Sequence, residues 1–107
     1  MTLGEFEKKY GIRWEHPHSC ILPIFTNDID TIYWIDPDGS RKNWFFIIVN
    51  KKGEVINERL TPSEFYKNID CLLNNGWHNC KGIKEFLGND IRTWVYNFAN
   101  EQEISLI

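Results

Sequence analysis

The stretch TIYWIDPDGSRKNWFFIIVNKKGEVINERL, residues 31–60, decides the fold. Three runs rich in β-branched and aromatic residues, Thr31 to Asp36, Asn43 to Asn50 and Glu54 to Leu60, are separated by Asp36-Pro-Asp-Gly39 and Lys51-Lys-Gly53. Asp, Pro and Gly supply the backbone conformations that reverse a chain, so the three runs read as an antiparallel meander. The segment Trp44-Phe-Phe-Ile-Ile-Val49 is apolar on both of its faces, which marks a central strand covered on each side. Glu54 to Leu60 mixes charges with Val55, Ile56 and Leu60 and belongs nearer an edge.

Helical patterns flank the meander. Thr61-Pro-Ser-Glu64 combines an N-cap, a first-turn proline and a capping glutamate, and Phe65, Ile69, Leu72 and Leu73 follow on one stripe until Asn75-Gly76. Lys81 to Leu87 reads as a short helical turn ended by Gly88. Asp90 caps a last helix in which Ile91, Trp94, Val95 and Phe98 share a face, and the tail Glu101 to Ile107 is expected to fray or dock late. On the N-terminal side, Thr2-Leu-Gly-Glu5 has capping-box spacing, and Leu3, Phe6 and Tyr10 predict an amphipathic helix over residues 3 to 10, stopped by Gly11. Ile12 to Phe25 is apolar, but Pro17 and Pro23 demote it to an edge strand or an irregular ribbon, and Thr26-Asn-Asp28 is a turn. The expectation is an α+β fold: a three- to four-stranded antiparallel meander packed against a short N-terminal helix and two C-terminal helices.

At 107 residues, with 42% hydrophobic and 15% aromatic side chains, the chain suits a single α+β domain spanning 1–107 around one core. Fifteen acidic against twelve basic side chains leave a net charge of -3, which opposes a phosphate-tracking surface and favours a basic protein partner over nucleic acid. The basic pairs Arg41-Lys42 and Lys51-Lys52 fall in turns with no aromatic ladder beside them. Three cysteines, an odd number, point to reduced thiols in a cytoplasmic setting, and no apolar run reaches membrane-spanning length.

Three groupings could carry chemistry. His16-Pro-His18-Ser-Cys20 and His78-Asn-Cys80 hold every histidine of the chain, so His16, His18, Cys20, His78 and Cys80 are the candidate ligands for zinc if the two segments meet. The same residues offer a thiol beside a histidine base, which would make a small cysteine-dependent enzyme, although a third group to orient the base is not evident. Asp28, Asp30, Asp36 and Asp38 crowd the first strand. The glycine after Asp38 comes too early for a calcium loop and no glutamate closes one, so these carboxylates read as turn residues or as an acidic interaction surface. Trp44 and Trp94 belong to the core, whereas Trp14, Trp34 and Trp77 are candidates for partial exposure.

The preferred expectation is a non-enzymatic binding protein. Asp28, Asp30, Asp36 and Asp38 would pair with basic groups on a target while Trp34 or Trp14 fills an apolar pocket. In size, mild acidity and aromatic content the chain resembles the immunity proteins of bacterial toxin systems and small phage-encoded inhibitors, a likeness of general character that covers no motif. It implies a basic partner such as a toxin nuclease domain and transfers no residue; on the residues themselves, no cofactor and no catalytic residue are expected. A zinc-binding module and a thiol enzyme are the alternatives.

Overall fold

A computed structural model of the chain describes residues 1–10, 20–37, 43–83, 88, 90–101, 103 and 106. Helix α1 (Leu3–Tyr10) is followed by strands β1 (Cys20–Thr26), β2 (Thr31–Asp36), β3 (Phe45–Val49) and β4 (Val55–Leu60). Helix α2 (Pro62–Asn74), a two-residue strand β5 (His78–Asn79) and helix α3 (Ile91–Glu101) complete the order. The sheet runs β4-β3-β2-β1-β5 with every pairing antiparallel, so the α+β meander expected from residues 31–60 forms, extended by β1 and β5.

Alternation along β3 explains the layering. Phe46 joins Phe65 and Ile69 of α2 and Ile91, Val95 and Ala99 of α3 on one face. Phe45, Ile47 and Val49 meet Phe6 of α1 on the other. A strand with apolar residues at every position needs cover on both sides, and the helices divide that work. Each fully buried ring, such as Phe6 or Phe46, contributes roughly 2–3 kcal/mol relative to exposure.

The helix starts form as their local chemistry dictates. Glu5 N–H donates to Thr2 Oγ1 and Thr2 N–H to Glu5 Oε1, both at 3.2 Å, a complete capping box. Thr61 Oγ1 accepts from Glu64 N at 3.2 Å, and Asp90 Oδ1 accepts from Thr93 N at 3.2 Å. Gly76, with φ +87°, closes α2 in the left-handed conformation and turns Trp77 inward onto Phe25.

Of the two outcomes its prolines allow, edge strand or irregular ribbon, β1 takes the strand, with only the two-residue β5 beyond it. It pairs with β2 along its length, from Cys20 opposite Asp36 to Thr26 opposite Thr31. The register slips between Pro23 and Phe25, and this bulge puts Ile24 and Phe25 together on the face covered by α2 and α3. On the other side β5 pairs only with Phe25 and Thr26, beyond the proline that has no N–H to give. Of the C-terminal tail, Leu106 is docked, its carbonyl accepting from Ser63 Oγ at 3.0 Å. The short helix expected near Lys81 to Leu87 lies mostly outside the described residues, as do Trp14, His16, His18 and Asp38. No helix among the described residues is long and apolar enough to cross a membrane.

Candidate functional site

Strand register divides the acidic cluster in two. Asp28 and Asp30 precede Thr31, at one end of β2, and Asp36 ends the strand roughly 17 Å away at the usual rise per residue. Asp36 is only 3% exposed, because its even position puts it on the same covered face as Ile32 and Trp34. The expectation of one acidic surface holding Asp28, Asp30 and Asp36 is corrected accordingly: the three cannot contact one partner group.

The tryptophans are corrected too. Trp34 is 8% and Trp77 9% exposed, so neither ring is displayed. Trp34 packs edge-on against Trp94 and Phe98 of α3, and Trp77 stacks on Phe25 with centroids 5.9 Å apart. Helix α3 covers this face of the sheet.

What remains at the surface is the β1–β2 turn. Asn27 Oδ1 accepts from the backbone N–H groups of Ile29 (3.0 Å) and Asp30 (2.7 Å), and Asn27 N–H donates to Asp30 O at 3.2 Å. Thr26 Oγ1 donates to Asp30 O at 2.7 Å and accepts from Asp28 N at 3.1 Å. Asp28 adopts φ +72°, a left-handed conformation that Asp tolerates better than most residues. The outcome is a fixed loop that holds Ile29 63% exposed between two carboxylates. Ile29 carries no motif or spacing that marks it as functional. The available signal was a lone apolar side chain among turn residues, with no periodic partner to bury it.

Strand β5 adjoins this turn. His78 stands opposite Thr26, and its Nε2 lies 3.3 Å from Asp28 Oδ2 while Nδ1 lies 3.1 Å from Asn79 O. The Asn79 carbonyl and the Asp28 carboxylate together raise the pKa of His78 above its ordinary value. Asn79 Nδ2 donates to Gly88 O at 2.7 Å, tying β5 to the approach to α3. Behind His78, a cleft of about 480 Å³ is lined by Phe25, Trp77, Cys80, Lys81, Asp90 and Ile91, among others.

The cysteine and metal groupings fare differently. Cys20 begins β1, and Thr26, the strand partner of His78, ends it, so the backbones of Cys20 and His78 are roughly 17–20 Å apart. That is too far for both to reach one ion. His16 and His18 lie outside the described residues, and among the described residues no three His, Cys, Asp or Glu side chains converge as a metal centre requires. Half-buried Cys80 has its thiol pKa pushed up by burial, the reverse of what a nucleophilic thiolate needs.

The free edge of β4 offers a strand partner little. Met1 O takes the Val55 N–H at 2.7 Å, Asn57 Oδ1 takes the Arg59 N–H at 3.1 Å, and Glu58 is engaged by Lys9. Comparison with protein-family models, with curated proteins and with solved structures finds no match to the chain.

Proposed function

We propose that the protein works by binding, without catalysis, a basic protein partner through the turn Asn27–Asp30, masking that partner in the manner of an immunity protein or a small inhibitor. The observation that carries this reading is the exposed Ile29 held between Asp28 and Asp30 on a backbone already fixed by Asn27 and Thr26. An apolar knob is the side chain that fills a pocket, and flanking carboxylates steer it toward positive charge. Prior ordering of the loop lowers the entropy lost on docking. The net charge of -3 adds a long-range attraction of the same sign.

The test is co-expression with the product of the neighbouring reading frame, followed by co-purification and measurement of association at several salt concentrations. Ile29→Ser is expected to weaken the complex about tenfold or more, consistent with the loss of an interface anchor. Charge reversal at Asp28 and Asp30 is expected to slow association and flatten its salt dependence. A complex that forms equally well with all variants would remove the turn from the interface.

A further inference from the structure

The two ring nitrogens of His78 face two groups that only accept hydrogen bonds. Nδ1 is 3.1 Å from the carbonyl of Asn79, and Nε2 is 3.3 Å from Oδ2 of Asp28. Neutral imidazole has one N–H, so it satisfies one of these oxygens and turns a lone pair toward the other. The imidazolium donates to both.

We propose that His78 is a proton-operated gate on the Asp28 carboxylate: as a cation it clasps Asp28 against β5, and as a neutral ring that keeps its one N–H for the nearer Asn79 carbonyl it releases that carboxylate to a partner. This rests on reading the β1–β2 turn as the recognition site. The geometry suits a gate, because the turn does not depend on the clasp. Asn27 and Thr26 fix the backbone, while the Asp28 side chain is 82% exposed and meets His78 across 50 positions of sequence.

The charges around the ring agree. Asp28 faces it from the turn and favours the cation, while Asp90 at the start of α3 lines the same cleft. Lys81 also lines that cleft, and Cys80 contributes no charge while burial holds its thiol protonated. The His78 pKa is raised, first by the Asn79 carbonyl and then by Asp28. A raised histidine stabilises the folded form fully below the ordinary value near 6.5, and the contribution disappears as pH climbs through the raised value. A Lys or Arg of a partner competes with His78 for Asp28. Partner affinity therefore increases as pH climbs through that same value, and binding expels the proton.

The experiment is an NMR titration of the His78 ring and of the Ile29 and Asp30 amides in the free, full-length chain. In Asp28→Asn the His78 midpoint is expected to fall by roughly a few tenths of a pH unit, as suits an exposed pair. In His78→Gln the turn amides are expected to lose their response near neutral pH. An unchanged midpoint in the first variant, or an unchanged amide response in the second, overturns the gate. Because the readout needs no partner, its failure leaves the binding reading standing, and failure to form a complex would leave the titration standing.

Discussion

At the Thr31 end of β2, Asp28 and Asp30 sit in a turn whose backbone is held by Asn27 and Thr26, and the Asp28 side chain is 82% exposed with His78 alongside. At the far end Asp36, the same residue type, is 3% exposed and faces the layer that holds Trp34. Five residues of strand separate two uses of a carboxylate. In the turn, water solvates the charge and neighbouring side chains supply the backbone bonding, so the carboxylate remains available to a partner. In the strand, the pleat turns the side chain into the covered face, where an ionised group persists only with enclosing polar contacts. Proximity in sequence suggested one acidic surface. The pleat and the length of the strand made two environments.

Substitutions can break or sharpen this contrast. Asp36→Ala is expected to lose about 1–3 kcal/mol in urea unfolding, as removal of one member of a buried polar contact does. An unchanged midpoint would erase the difference between the two ends. Asn27→Ala removes the acceptor of two turn N–H groups and is expected to lose about 1 kcal/mol, with faster hydrogen exchange at Ile29 and Asp30. Slow exchange persisting in that variant would show that the loop does not owe its order to Asn27. Asp28→Gly is expected to stay within about 0.5 kcal/mol of the parent, since glycine relieves the φ of +72° while adding freedom to the unfolded chain. A loss as large as that of Asp36→Ala would make Asp28 a structural residue as well.

The meander, both ends of α2 and the start of α1 were legible because their signals are local. Thr2 and Glu5, or Thr61 and Glu64, meet within one helical turn whatever the rest of the chain does. The doubly apolar run ending at Val49 requires two covers wherever they come from. The site was less legible. Ile29 carries no local mark because exposure is not a property of a residue type, and Trp34 and Trp77 are ambiguous in sequence because amphipathic rings suit either a core or an interface. Pro23 marks β1 as an edge strand or ribbon but does not specify the slip in register at Ile24.

By itself the sequence determined the α+β class, the order of the meander and the helix caps, since each follows from contacts a few residues apart and from the periods of the two backbone forms. Only the tertiary structure decided that Asp36 is enclosed, that Cys20 and His78 stand at opposite ends of β1, and that His78 meets Asp28. Those outcomes depend on strand register and on which helix covers which face. Both are set by packing among residues tens of positions apart, and no local pattern encodes them.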